Sequence, residues 1–251
     1  MVPLILVFGF SVETSVAQNS SLAKFDEANN LLETDDYRQA LAAYKSISHQ
    51  NISGGLFLNM AISYVQLDSL GKAKYYFLKA RQFDETRERA EDGLQFVESR
   101  FSRQSAVLPK LPWERFFDWL GTQISVTNLL GLGLLLLNLG VCAYVGTWFF
   151  AYFRKPMRYG GIGIAAISLL IILSSFYLKH LQNRYSSAVM IHQQASVLEQ
   201  PENEATMVSQ AYEGYTFTVD HARSRNEQGW SYVRMSNGLY GWVPTDNIMV
   251  L

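Results

Sequence analysis

Two long stretches without a charged residue constrain this 251-residue chain more than any other feature. The first runs from Trp119 to Phe153 and the second from Tyr159 to Leu178. As helices, both are long enough to cross a hydrocarbon layer about 30 Å thick. A buried helix pair in a soluble protein is the alternative, but it does not require uncharged runs of this length. We therefore predict two membrane-spanning helices, over residues 126–153 and 160–178.

The short segment 154–159 between these spans indicates their orientation. It carries Arg154, Lys155 and Arg158, and the positive-inside rule places such a loop in the cytoplasm. Basic residues beyond the other span ends, such as Arg115 and Lys179, weaken this prediction. Two spans put both flanking regions on the same side of the membrane, which is then the outer side.

The N-terminal residues 1–17 resemble a secretory signal peptide. An apolar run, Val2 to Phe10, precedes the small-residue site Ser15-Val16-Ala17. No basic residue precedes Lys24, so the usual positive start is missing and a buried strand or helix end is the alternative. An exported N-terminus agrees with the orientation that the basic loop predicts.

The residue types that chemistry requires are sparse. The single cysteine, Cys142, lies within the first uncharged stretch, which excludes a disulfide framework and a cysteine metal site. The four histidines share no metal-ligand spacing, and no nucleophile elbow or phosphate-binding glycine loop occurs. No ionisable residue lies inside either span, which argues against ion transport. We therefore expect no catalytic residues, no cofactor and no metal, and a net charge of −1 gives no reason to expect nucleic acid as a partner.

Residues 21–105 have the pattern of repeated helices. Apolar and small residues recur at i, i+3 and i+4 without proline. A set of large and small residues in 57–80 has the offsets of a tetratricopeptide unit, and an earlier copy lies 33 residues upstream. Segment 87–103 could cap the stack. A plain helical bundle is the alternative.

The resemblance to tetratricopeptide repeats implies a concave face that binds a protein partner. The residues that this face would offer are Phe25, Asn29, Leu32, Leu58, Ile62 and Val65. Two repeats form only a small groove, so the alternative is that these residues serve packing alone.

Residues 106–125 are predicted as a linker followed by an interfacial helix. Two prolines, Pro109 and Pro112, end the helical region. The segment 113–120 then mixes aromatic and charged residues, as helices at a membrane surface do.

The C-terminal region 188–251 changes to short runs with a period of two residues. Alternation over 230–235, the Asn237-Gly238 turn and the return over 239–243 predict a β-hairpin. The order of strands, glycines and closing Gly241-Trp242-Val243 resembles a bacterial SH3-like domain, which is a small all-β barrel. Such domains bind peptides, cell-wall components or protein surfaces.

The barrel has more large rings than so small a core can enclose. An exposed aromatic shelf, including Tyr215, Trp230 and Tyr240, is one interpretation. In the alternative, Tyr232 and Trp242 belong to the core and only Trp230 and Tyr240 lie at the surface.

The domain order as a whole resembles BatE-type proteins of the Bacteroides aerotolerance operon: leader, tetratricopeptide pair, two spans and SH3-like tail. This resemblance implies a non-catalytic scaffold of an envelope complex for aerotolerance or stress, in the bacterial inner membrane with both outer domains in the periplasm. Its expected partners are other envelope or membrane proteins and membrane lipid, and a cell-wall peptide is a further candidate. The alternative function is a wall- or peptide-sensing subunit that signals through a separate partner.

Overall fold

The structure, a computed structural model, describes residues 11–48, 52–103, 106–109, 111–150 and 152–251. Its contacts divide the chain into two compact units. One unit combines the residues up to Val107 with Ser187–Leu251, and the other is Leu108–Ser186. Most of the predicted leader, residues 1–10, lies outside the described residues, and the leader stays a prediction.

Among its described residues, the first unit has five consecutive helices, which we call the helical half. Each helix packs against the next along the chain. Short caps and turns separate them: the Asp36 and Ser53 side chains accept hydrogen bonds from backbone N–H groups of the following helices. Between helices, Asp35 and Asp68 take up left-handed backbone conformations that end the preceding helix. The five helices are α1 (Ser11–Glu33), α2 (Tyr37–Ile47), α3 (Gly54–Gln66), α4 (Leu70–Ala80) and α5 (Arg87–Arg100).

The core of the helical half combines small and aromatic residues. Ala28, Ala40, Ala61 and Ala73 are fully buried. Small residues at these points allow neighbouring helices to approach closely, and the larger space beside them is filled by the buried ring of Tyr44 and by other large side chains. The helices are therefore held together mainly by apolar burial along their contacting faces.

The same unit contains a seven-stranded antiparallel sheet, which we call the β half. The strands are β1 (Tyr185–Met190), β2 (Gln194–Leu198), β3 (Met207–Tyr212), β4 (Thr216–Asp220), β5 (Trp230–Met235), β6 (Tyr240–Pro244) and β7 (Ile248–Val250). Their order in the sheet is β3-β2-β6-β5-β4-β1-β7. Its core is aliphatic apart from one ring, that of Phe217, and is formed by alternate residues of several strands.

The hairpin of β5 and β6 forms where the Asn-Gly turn predicts it. Gly238 has a φ of +86°, a left-handed conformation that favours glycine. The Asn237 side chain accepts a hydrogen bond from the Leu239 backbone at 3.1 Å. Ahead of the hairpin, a short helix α9 (His221–Ser224) follows β4 and is capped by the carboxylate of Asp220.

The part of the second unit that the structure describes has three helices: α6 (Pro112–Gln123), α7 (Val126–Gly146) and α8 (Arg154–Arg184). In α7 and α8, the structure has two helices that are long and apolar enough to cross a membrane. Small residues line their contact, since a Cβ added to Gly140 would lie 2.9 Å from the Gly161 carbonyl oxygen. The Ser168 hydroxyl also donates to the Gly133 carbonyl oxygen at 2.7 Å, a hydrogen bond between the two helices.

The helix bounds differ from the predicted spans in three places, one of which is the end of α8, at Arg184 rather than at residue 178. Helix α7 ends at Gly146 rather than at residue 153, and the exposed rings of Trp148 and Phe149 follow it. The predicted loop 154–159 instead forms the first turns of α8. Pro156 allows this because it is the third residue of the helix, where its missing N–H group is not needed for an intrahelical bond.

Candidate functional site

Large aromatic side chains lie on the outward face of the β5–β6 hairpin. Along β5 the residues alternate in burial, so that Ser231, Val233 and Met235 point into the core. The same alternation in β6 buries Gly241 and Val243. The remaining residues of both strands therefore share the opposite face. The register pairs Trp230 with Pro244, Tyr232 with Trp242, and Arg234 with Tyr240 across that face.

Three of these rings form a continuous cluster. The Tyr232 ring stacks on the Tyr240 ring at a centroid distance of 6.2 Å, and it meets the Trp242 ring edge-on at 5.1 Å. Tyr240 is 50% exposed, while Tyr232 and Trp242 are half-buried. With Trp230 at the start of β5, these side chains define what we call the aromatic face: Trp230, Tyr232, Tyr240 and Trp242.

Two arginines give the aromatic face a positive border. The Arg223 guanidinium of α9 lies over the Tyr232 ring, 4.6 Å from its centroid. The Arg234 guanidinium lies 5.7 Å from the Tyr240 centroid. Flat rings beside cations can contact the apolar and the acidic groups of a bound chain.

The structure brings together only part of the predicted shelf. Trp230 and Tyr240 belong to the aromatic face, whereas Tyr215 does not. Tyr215 lies in the turn between β3 and β4, where it packs against the β-half core and lies 5.7 Å from the Tyr212 ring. Its backbone carbonyl accepts a hydrogen bond from the Met190 N–H group. Tyr215 therefore packs against the core of the β half and lies outside the aromatic face.

Two residues of the aromatic face, Tyr232 and Trp242, were absent from the predicted shelf. The sequence did contain a signal for them. Side chains two residues apart in a strand share a face, so Tyr232 must accompany Trp230, and Trp242 must accompany Tyr240. The alternative prediction, that Tyr232 and Trp242 point into the core, differs from the structure, since both lie on the outward face.

The predicted protein-binding residues of the helical half lie on α1 and α3. Leu58 is only 3% exposed and belongs to the core of the helical half. The other five are half-buried, and the four apolar ones among them pack against that same core: Phe25, Leu32, Ile62 and Val65. This face is thus partly accessible and partly used for packing.

Asn29, the one polar member of that set, joins a network between three helices. Its side-chain oxygen accepts hydrogen bonds from the Tyr44 hydroxyl at 2.7 Å and from the Asn59 amide at 2.9 Å. Burial raises the pKa of Tyr44, because the phenolate would lose its hydration there. The Asn29 oxygen therefore links α1 to α2 and α3, and the predicted binding role of Asn29 stays a prediction.

The described residues contain no group of three or more histidine, cysteine or acidic side chains that could hold a metal ion. No protein-family model matches the sequence. A comparison with curated proteins likewise gives no significant match. The geometry of the aromatic face and of the two apolar helices therefore carries the functional argument.

Proposed function

We propose that this protein is a non-catalytic scaffold of the bacterial envelope, anchored by α7 and α8 and binding its partners on the outer side of the inner membrane. The observation that carries the proposal is the aromatic face of the β half. Four large rings lie there beyond those that the fold buries. Partly exposed tryptophan and tyrosine side chains beside arginine are typical anchors of protein interfaces.

The β half supports this proposal because its core is complete without the aromatic face. The buried cluster includes Phe217, Val219, Val233 and Val243, all from the inward side of their strands. The four outward rings therefore add little to this core, and they are available to a partner. The antiparallel sheet, its short strands and its Asn-Gly hairpin are the features expected of an SH3-like barrel, and we propose that class for the β half.

For the helical half we propose two tetratricopeptide units, α1–α2 and α3–α4, with α5 as a cap. Residues 33 positions apart have matching burial, as in the fully buried pairs Ala28 and Ala61, and Ala40 and Ala73. A repeated unit places equivalent residues in equivalent packing positions. This half is proposed as a second protein-binding surface through the accessible part of its α1–α3 face.

The second unit supports a membrane anchor. Exposed apolar side chains cover most of α7 and α8, which suits lipid rather than water. Exposed rings follow α7, and others lie on the amphipathic helix α6, including Trp113 and Phe116. Aromatic residues at both ends of a span are typical of the membrane interface. The basic start of α8 then favours a cytoplasmic connection, which leaves both halves of the first unit outside.

The similarity in domain order to BatE-type proteins motivates the assignment to an envelope complex linked to aerotolerance or stress. In that role the protein would bind other envelope proteins and membrane lipid, with a cell-wall peptide as a further ligand for the β half.

A purification experiment tests the proposed binding role. The tagged full chain is isolated from native membranes, and co-purifying proteins are quantified by mass spectrometry. We expect Tyr240→Ser with Trp242→Ser to remove specific partners while the sheet remains folded. The matched control is Met207→Ser with Val208→Ser, which removes exposed apolar side chains of β3 elsewhere on the β half. An unchanged set of partners in the first variant, or equal losses in both, would contradict the proposal.

Topology is tested separately with reporters. A reporter that works only in the cytoplasm should be active when inserted at Met157 and inactive when fused after Leu251. Activity of the C-terminal fusion would show that the aromatic face lies inside the cell and would overturn the proposed outer location.

A further inference from the structure

The helical half and the β half meet through a helix cap that is shared between them. The α4 N-cap residue, Ser69, makes no capping hydrogen bond with its side chain. The backbone N–H of Gly71 instead donates to the Glu213 carboxylate at 2.6 Å. A carboxylate at a helix N-terminus satisfies a free donor and interacts favourably with the helix dipole. Glu213 of the β half therefore supplies the capping acceptor that Ser69 does not provide to α4.

Two glycines allow the backbones to come this close. A Cβ added to Gly71 would lie 2.5 Å from the Met190 carbonyl oxygen and 3.0 Å from the Ile191 Cα. In the β half, Gly214 has a φ of +82°, and a Cβ there would lie 2.2 Å from the Phe101 ring. At Gly71 the opposing atoms include backbone, so a side chain there would separate the halves, whereas at Gly214 the Phe101 ring would have to shift.

A largely buried lysine of α4 also contacts both halves. The Lys74 side chain is only 11% exposed, and its Nζ lies 3.1 Å from a Glu98 carboxylate oxygen. The same ammonium donates to the Gly214 carbonyl oxygen at 2.9 Å. Burying a charge is costly unless it is paired and hydrogen-bonded. Besides its 5.7 Å contact with the Phe101 ring, Lys74 has one polar partner in each half.

The third polar contact between the two halves involves Arg103, which lies just after α5. The Arg103 guanidinium donates to the Tyr212 hydroxyl at 2.7 Å and lies 4.4 Å from the centroid of the same ring. A hydrogen bond and a cation–π contact to one side chain fix the direction of approach. Because Tyr212 and Glu213 are adjacent at the end of β3, this contact and the shared cap act on the same turn.

We infer that the helical half and the β half are docked as one rigid body, held by Glu213, Lys74 and Arg103. The α1–α3 face and the aromatic face would then be held at a fixed separation. The chain between the halves contains both apolar helices. If those helices span the membrane, which rests on the proposed function, docking requires both halves to lie on the same side.

Thiol cross-linking of the full chain in native membranes tests the docking. Ser102→Cys and Gln193→Cys, exposed residues that line one groove between the two halves, are introduced into a Cys142→Ser background, and the rate of cross-linking by a short bismaleimide is measured. We expect rapid cross-linking within one chain, while added Gly71→Ala lowers the rate at least about fivefold because the new methyl group collides with the β half. The matched control is Gly55→Ala: both glycines are the second residue of a helix, but a Cβ on Gly55 would have only one neighbour, at 4.0 Å. Cross-linking that is slow in the parent, or equal in the two glycine variants, would overturn the docking.

Two further pairs of variants separate an effect on docking from an effect on folding. Gly214→Ala and Gly229→Ala are both strained at φ near +80°, but only the first meets the other half. Glu213→Ala adds no bulk and removes the shared cap, with Glu204→Ala as its exposed control. The docking predicts slower cross-linking in the first member of each pair, and equal rates within both pairs would contradict it.

The cross-linking experiment and the purification experiment can each fail without the other. Rapid cross-linking combined with unchanged partners in the Tyr240→Ser, Trp242→Ser variant would count against the scaffold and leave the docking in place. Lost partners without cross-linking would remove the docking alone.

Discussion

The helical half and the β half place their aromatic rings in opposite ways. In the helical half the rings of Tyr44, Phe57 and Phe77 are buried between helices. In the β half, Phe217 is the only buried ring among the described residues, while Tyr232, Tyr240 and other rings lie on the outward side. The two halves thus use the same residue types for different purposes.

The difference follows from the geometry of the two kinds of element. Helices that pack at about 8–10 Å leave spaces that a ring can fill beside an alanine contact. A small sheet closes its core with alternate aliphatic residues, so additional rings must point outward. Ring burial in the helical half therefore indicates packing, whereas the outward rings of the β half are the groups that the proposed binding role would use.

The largest expected effect comes from removing the one ring that the β half buries. Phe217→Ala should destabilise that half by about 3–5 kcal/mol, because it empties a fully packed position. Trp242→Ala, two strands away on the outward face, should cost much less although it removes a larger side chain. Chemical denaturation of both variants measures the difference, and equal costs would place Trp242 in the core and break the comparison.

A smaller effect is expected where alanine separates the helices of the helical half. Ala73 is fully buried, so Ala73→Leu should cost about 1–3 kcal/mol by overpacking. Ala42 is exposed on α2, and Ala42→Leu should leave stability nearly unchanged. Thermal unfolding of the two variants provides the measurement. If Ala73→Leu melts at the unaltered temperature, the space beside the buried rings is not closely packed.

The smallest effect concerns the pH dependence of a ring within the helical half. Burial, together with the neighbouring Tyr64 and Tyr75, raises the pKa of Tyr76 above its usual value near 10. The folded state therefore keeps this phenol neutral while the unfolded state ionises, so stability is present below pH 10 and is lost as the pH rises further. We expect Tyr76→Phe to reduce this alkaline loss and to change little at pH 7. Denaturation midpoints at pH 7 and above pH 10 test this expectation. An identical loss of stability above pH 10 in the variant and in the unaltered protein would refute the role of burial.

Local patterns in the sequence predict the elements that are determined locally. Strand β5 was predicted as 230–235 and β6 as 239–243, because alternation and an Asn-Gly turn specify a hairpin within a few residues. Strand β1 was not predicted, since Tyr185–Met190 continues directly from α8 without a turn. Strand β3 was also missed: its exposed start, Met207 and Val208, conceals the alternation.

The features that depend on distant parts of the chain could not be predicted. The hydrogen bond from Gly71 to Glu213 joins residues 142 positions apart, and no local pattern indicates that either residue has such a partner. Similarly, the burial of Leu58 depends on how neighbouring helices pack around it. Helical periodicity shows that a residue lies on an apolar face, but it does not show whether that face is covered.

The central claim is that the aromatic face binds a partner outside the inner membrane, and site-specific photo-cross-linking tests it most directly. A photoreactive phenylalanine analogue replaces Tyr240 in the full chain, and in a control it replaces Glu204, an exposed residue of the same half outside the aromatic face. The account predicts a discrete adduct with an envelope protein or wall fragment at position 240, formed in intact cells, and none at position 204. No adduct at position 240, or the same adduct at both positions, would contradict the account.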